Sequence, residues 1–364
     1  MIGPTLFRYI AWRFTKALVA MMALLLFLIV TVDFIEGLRK LSDEVDVSTA
    51  QIYLISLYTA PFFIDKAFPF ACLFATMITL FQLNQKMELV VARAAGVSVW
   101  QFLLPIGAAA FIIGIFAATV YNPAAISFYQ KSLDMKAELF GKQADTNAKT
   151  VSGFWMRQDD GSGKSTVINA KLARQGGTKL DGVRMLRFDG TGAIYSRIEA
   201  ASAEHQGDHW MLADVSITDS EQKTRKMATY EVETNLSARY LLGVSGDADS
   251  TGFWDLRRTA ERIRLSGLNH LPYLVQFHNL LALPMFLIAM VLIAASASLR
   301  FVRSGQAGKL ILGGILGGFV LYASTRLVTS LGSNGIVPPL LAAWSPSLVA
   351  ILFGMSILLY QEDG

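Results

Sequence analysis

The side chains able to do chemistry are few in this sequence, and they are widely spaced. Gly161-Ser-Gly-Lys164-Ser165 comes nearest to a nucleotide site. A phosphate-cradling loop needs another glycine five residues before Gly163, and that position holds Gln158. The pentapeptide therefore reads as a turn between strands, and Asn235-Leu-Ser237 as a chance match to a glycosylation sequon. His270 and His278 sit at the edge of and inside an apolar run, with no second His, Cys or carboxylate at ligand spacing. No metal site is expected; for His278 the expected role is a helix–helix hydrogen bond. Cys72 is the single cysteine, which excludes an intramolecular disulfide and a CxxC metal knuckle, and it reads as a packing residue. No Ser/His/Asp set or carboxylate pair stands out, so no catalytic residue is expected.

Three groups of residues remain. Arg39, Lys40, Lys66 and Arg326 are bases at the ends of apolar runs. All four are expected near one level, with two readings: interfacial anchors neutralised by Asp43, Glu44 and Asp46, or a clamp on anionic headgroups through charge-assisted bonds to phosphate. The second group is the loop Glu88-Leu89-Val90-Val-Ala92-Arg93-Ala-Ala-Gly96. Residues 84–95 suit a short helix ended by Gly96, and Ser98-x-x-Gln101 suits a capping box opening the next helix. A short, mostly apolar helix with one acid either lies on lipid or docks on a protein. The third is Gly313-Gly314-Ile-Leu-Gly317-Gly318, whose two small-xxx-small pairs permit close backbone approach. Ala110, Gly114 and Ala118 repeat that spacing; either set serves packing within the chain or against a partner.

The elements that must position these residues follow from composition. Of 364 residues, 53% are hydrophobic and only 16% charged, against about a quarter charged in soluble proteins. Residues 131–264 hold 39 of the 60 charged side chains, so the net charge of +4 gives no sign of a nucleic-acid partner. About 20 apolar residues cross a hydrocarbon core. Six spans are predicted, near 14–36, 60–83, 101–122, 270–298, 308–330 and 343–361. The first reads as an uncleaved signal anchor, since no small-residue cleavage site follows it. Placing the N-terminus in the cytoplasm puts Arg8, Arg13, Lys16, Lys86, Arg93, Arg300, Arg303 and Lys309 there as well, as the positive-inside rule favours. Segment 123–268 then lies outside. There Ile194, Ser196, Ile198 and Ala200 alternate with Tyr195, Arg197 and Glu199, and Ala228, Tyr230 and Val232 with Thr229, Glu231 and Glu233. That period of two predicts half-buried antiparallel strands in a sandwich or open barrel, followed by a helix over 255–265.

The layout resembles the LptF/LptG (YjgP/YjgQ) family, permeases of the lipopolysaccharide export ABC transporter. Matching residues are Arg8-Tyr9-Ile10, Pro61 with Pro69, Glu88-Leu-Val-Val-x-x-Ala94-x-Gly96, Pro284, Gly317-Gly-Phe319-x-x-Tyr322 and Gly335-Ile-Val-Pro338-Pro339. Phe34-Ile-Glu36-Gly-Leu-Arg39-Lys40 and Gly153-Phe-Trp155-Met-Arg157 look more like the LptG branch. The acid at Asp65 and base at Lys66 depart from the family pattern. The resemblance implies a mainly α membrane protein in three parts. Residues 1–122 carry three spans and a coupling helix at about 84–96, 123–268 a periplasmic β-jellyroll with its linking helix, and 269–364 three more spans. It implies a heterodimer with an LptF-like permease, an LptB ATPase dimer that hydrolyses ATP with Mg, and LptC. It also implies lipopolysaccharide as substrate, a Gram-negative inner membrane, and no cofactor on this chain. By the same resemblance Glu88 and its helix sit in an LptB groove, while Arg39, Lys40, Lys66 and Arg326 face lipid A phosphates. The other classes are a stand-alone lipid transporter and a membrane-anchored periplasmic scaffold.

Overall fold

The computed structural model describes residues 3–40, 48–140, 151–159, 165–174, 178–219, 223–234, 248–265, 269–298 and 307–363. The Gly161–Lys164 turn, the sequon and Arg300 and Arg303 lie outside these. The helices are α1 (Pro4–Lys40), α2 (Thr49–Gln85), α3 (Glu88–Ala94), α4 (Val99–Phe116) and α5 (Asn122–Phe140). They continue with α6 (Phe253–Leu265), α7 (Leu271–Ser298), α8 (Ala307–Ser333) and α9 (Pro339–Asp363). One π turn, Ala117–Tyr121, joins α4 to α5. Among the described residues six segments are long and apolar enough to span a membrane: Pro4–Arg39, Thr49–Gln85, Val99–Lys136, Leu271–Ser298, Leu312–Ser333 and Pro339–Tyr360. The six expected spans are there, but several run well past the expected ends. Each of α1 and α2 has 37 residues, about 55 Å at 1.5 Å per residue, against a hydrocarbon core of about 30 Å.

The chain packs as two units, Met1–Met135 with Gly252–Arg257 and Leu271–Gly364, and Lys136–Thr251 with Arg258–His270. The helical unit thus continues past residue 122, because the third span stays helical through Phe140. Its interior gathers Ile10, Phe14, Cys72, Leu80, Leu83, Ile106, Leu287 and Val291. Prolines 61, 69, 105, 284 and 346 lie inside helices. Pro284 marks a close crossing of α4 and α7: a Cβ on Gly114 would come within 2.6 Å of Pro284 Cα. Cys72 is fully buried, as its packing role requires.

The second unit holds one six-stranded antiparallel sheet: β1 (Val151–Asp159), β2 (Ser165–Arg174), β3 (Lys179–Phe188), β4 (Ile194–Gln206), β5 (His209–Asp219) and β6 (Thr224–Glu233). The described strands pair strictly in sequence, without crossovers between non-neighbours. The alternation holds for Ser196, Ile198, Ala200 and Val232, all buried, but Ile194 is half exposed and Ala228 is exposed. A register shift at Arg187/Phe188 pairs Phe188 with Ile194 and takes Ile194 off the core face. A second irregularity crosses the sheet. Leu180 and Val183, Ala200 and Ala203, and Leu212 and Val215 are all buried although three residues apart. At that level Gly182 and Asp214 adopt φ of 61° and 53°, so each strand takes a three-residue step and keeps one apolar face. Trp210 is the largest fully buried side chain there.

On the outer face Glu199 accepts bonds from Arg197 and from Arg184 across the β3–β4 ladder. The Arg197 bond leads, the Arg184 bond adds to it, and together they hold the Glu199 carboxyl below its usual range despite some desolvation. A carboxyl lowered in the folded state stabilises above its unfolded pKa, and that part is lost as pH falls through the folded value. Three outcomes are expected from protease resistance of the full chain. Trp210→Ala should destabilise the sheet by about 3–5 kcal/mol, while Ile194→Ala should stay within about 0.5 kcal/mol. Glu199→Gln should reduce the further loss seen between pH 7 and pH 3.

Candidate functional site

The loop after α2 is jointed rather than one helix. The expected helix over 84–95 breaks at Lys86–Met87: Met87 takes a left-handed conformation with φ 57°, and its N–H bonds back to the Asn84 carbonyl. The chain turns there, and α3 starts afresh at Glu88. An acid in its first turn and Arg93 in its last suit the helix dipole. Its end follows the sequence expectation. Gly96, at φ 83°, donates to the Arg93 carbonyl and Val97 to the Ala92 carbonyl, which together make a Schellman motif. The Ser98 hydroxyl then caps α4 by accepting from the Gln101 N–H at 3.3 Å.

Glu88 is engaged within its own chain. The Tyr9 hydroxyl donates to its two carboxylate oxygens at 3.1 and 3.0 Å, and Arg13 Nη1 to both at 3.2 Å. The side chains of Arg13 and Glu88 keep only 18% and 33% of their accessibility. Leu89 is buried in the helical core, and Val90, Ala92 and Arg93 are half-buried. Met87 and Val91 form the outward apolar face, at 62% and 67% exposure. Sequence reasoning missed Tyr9 and Arg13 as partners of Glu88. Their i,i+4 spacing on α1 was the available signal.

The four bases fall into two pairs rather than at one level. Phe34 packs edge-on to Tyr53 at 5.7 Å, and a Cβ on Gly37 would meet Ile52 at 2.6 Å. Exposed Arg39, and Lys40 after it in the backbone, therefore end beside the first turns of α2. Lys66 lies 13 residues past Tyr53 on α2, about 20 Å along the axis. Because α1 and α2 outrun the hydrocarbon core, counting from run ends cannot give a common level. Arg326, by contrast, falls at the level of Lys66. The α2–α8 register runs through Met77 at Gly314, Leu73 at Gly318 and Phe70 at Tyr322, the two rings 4.9 Å apart. One further turn along each antiparallel helix puts Lys66 opposite Arg326. The Lys66 ammonium lies 4.7 Å from the Phe62 ring centre, and Arg326 donates from Nε to the Tyr322 hydroxyl at 3.1 Å.

A polar junction that sequence reasoning did not find lies at the Lys66 level. Buried Asn122 donates from its amide to Asp65 Oδ2 at 2.8 Å and accepts from the Phe253 N–H at 3.2 Å. The Trp254 indole donates to the Thr119 carbonyl, inside the π turn, at 3.0 Å. The start of α6 is thus clipped to the third span. His278 Nδ1 is buried without a hydrogen-bond partner among the described residues, so the expected helix–helix bond is not made there; its ring packs edge-on to Phe277 at 5.4 Å. Among the described residues no three His, Cys, Asp or Glu side chains gather as a metal site.

The glycines of α8 divide. A Cβ on Gly318 would collide with Leu73, one on Gly314 would lie 2.9 Å from Ala297 Cβ, and one on Gly317 would lie 3.2 Å from Ile293. These three pack within the chain, whereas Gly313 has open space. Gly313, Gly314 and Gly317 line one wall of an apolar groove of about 1460 Å³ between α7, α8 and α9.

Residues 8–360 match the profile of a family described as lipopolysaccharide export system permease LptF/LptG. The chain is similar to the lipopolysaccharide export system permease protein LptG of Escherichia coli (strain K12), 24% identical over 363 residues and covering 98% of each chain. It is also similar to the protein of the same name from Haemophilus influenzae, 25% identical over 368 residues and 99% of each.

The glycine contacts set an expected outcome. Gly318→Val should lower the stability of the purified chain by about 1–3 kcal/mol through overpacking against Leu73. Gly313→Ala should cost nothing measurable, or stabilise by up to about 1 kcal/mol through helix propensity. Thermal unfolding of the two variants in one detergent distinguishes them.

Proposed function

The chain belongs to the LptF/LptG family of lipopolysaccharide export permeases, and we propose that it is the LptG-like subunit of that ABC transporter. The match from residue 8 to residue 360, which takes in the six spans and the inserted sheet, carries the permease reading, and the likeness to relatives named LptG at 24–25% identity supports the LptG branch. In it the chain pairs with an LptF-like permease on an LptB ATPase dimer, and LptC joins the assembly. ATP is bound with Mg and hydrolysed by the ATPase, not by this chain. The membrane is the Gram-negative inner membrane, with both termini cytoplasmic and the sheet in the periplasm. Lipopolysaccharide enters from the outer leaflet, and its acyl chains pass along the buried face of the sheet.

Residues take roles as follows. Helix α3 and the joint before it offer Val91 and Met87 to the ATPase groove, with the exposed third of Glu88 beside them. Arg39 and Lys40 form one phosphate-binding pair and Lys66 with Arg326 another, deeper along α2. Charge-assisted bonds to phosphate give such pairs their selectivity for an anionic headgroup. An LptF-like role in the same complex is the alternative within the family; a stand-alone transporter or a scaffold would co-purify with no ATPase.

The test is purification of the chain from its native membranes, with identification of co-eluting proteins and lipid. An ATPase, a second permease and lipopolysaccharide are expected, and their absence overturns the reading. Replacing Arg39 and Lys40 together with Glu should weaken lipopolysaccharide capture by about tenfold, the lower end for charge-assisted bonds because solvent screens them. The Ala pair should lose less, and assembly with the ATPase should be unchanged. Lipid capture by the Glu pair equal to wild type returns both residues to an anchoring role.

A further inference from the structure

Helix α3 has seven residues and a joint at each end, the left-handed Met87 and the Schellman turn at Gly96. Leu89 is buried in the helical core with Ala92 packed against it, and the carboxylate of Glu88 is held by Tyr9 and Arg13. We propose that Tyr9 and Arg13 are positioning residues that lock α3 onto α1, so that a displacement imposed on α3 is carried into α1 through Glu88. This rests on the permease reading above, in which α3 receives the ATPase stroke.

The geometry favours a mechanical link over a decorative surface pair. Tyr9 and Arg13 are one turn apart on the same face of α1, and both reach both oxygens of a single carboxylate. The Arg13 guanidinium also lies 5.2 Å from the Tyr9 ring centre, so the donors are held relative to each other before Glu88 arrives. Arg13 is mostly shielded, which screens the ion pair less than an exposed one. The clasp lies near the start of α1, an unbroken helix of 37 residues. It ends at Arg39 and Lys40, the bases assigned above to a lipid headgroup. One rigid rod thus carries the clasp at one end and the headgroup pair at the other. The competing use of Glu88 is as the partner of a base on the ATPase. The two uses differ in what restores function after charge reversal.

The experiment takes the transporter with its native partners in liposomes containing lipopolysaccharide and measures lipopolysaccharide released per ATP hydrolysed. Arg13→Glu and Glu88→Arg should each lower that ratio by about fivefold, as loss of a partly screened ion pair allows. The double reversal, Arg13→Glu with Glu88→Arg, should recover most of the loss, Tyr9→Phe should lose less, and Arg13→Lys should stay near wild type. A merely structural role would lower release and hydrolysis together and leave the ratio unmoved. A double reversal no better than Glu88→Arg alone overturns the clasp and assigns Glu88 to the ATPase. Melting temperatures of the same variants separate the two levels of the argument. Restored melting in the double reversal is expected whatever the cargo, and strictly additive losses overturn the clasp. A wild-type complex that hydrolyses ATP without moving lipopolysaccharide overturns the permease reading instead.

Discussion

The close approach of helix backbones at small residues is the interaction on which the membrane unit depends. Lipid tails are as apolar as leucine, so burial alone cannot drive helices together in hydrocarbon, and van der Waals fit must do it. Gly114 lies against the Pro284 backbone, and Gly314 and Gly318 against Met77 and Leu73. Each of these positions has no room for a Cβ. Gly314 and Gly318 set the register of α2 against α8, and that register brings Lys66 to the level of Arg326. A polar arrangement is thus fixed by apolar contacts two turns away.

Helix length is the second constraint. α1 and α2 are nearly twice as long as a minimal span, and the third span runs on through a π turn to Phe140. A π turn leaves backbone carbonyls poorly served by the helix itself, and the Trp254 indole uses the one at Thr119. Asn122 serves Asp65 Oδ2 and the first N–H of α6 at once. These bonds hold the beginning of the linking helix against the third span, beside the stacked rings of Phe253 and Phe277. The Glu88 clasp performs a comparable task for α3. In both places a short element is joined to a long helix by directed polar bonds, while the long helices join one another by packing.

The sheet solves a different problem with backbone geometry. Its strands need one continuous apolar face, yet Gly182 and Asp214 interrupt strict alternation. The step is shared by neighbouring strands at one level, so Leu180 and Val183 both stay inside. A single strand taking that step would turn its remaining side chains to the wrong face.

Composition and period alone determined the class of structure: six apolar runs, an inserted strand-rich segment, and a helix leading into span four. The Gly96 stop and the Ser98 start were also readable, because caps depend on a few neighbouring residues and a local backbone angle. The Glu88–Gly96 pattern and the glycine pairs marked the right segments. What they could not supply was partners. That Glu88 meets Tyr9 and Arg13, that Leu73 fills the space beside Gly318, and that Arg39 stands some 20 Å from the level of Lys66 all depend on register between helices far apart in sequence. The same holds for Ile194, whose face is decided by a register shift against β3 rather than by its own alternation. Local periodicity says which side of an element is apolar. Only the packed structure says what that side meets and at what height, because register is set by the summed fit of many contacts and not by any one residue.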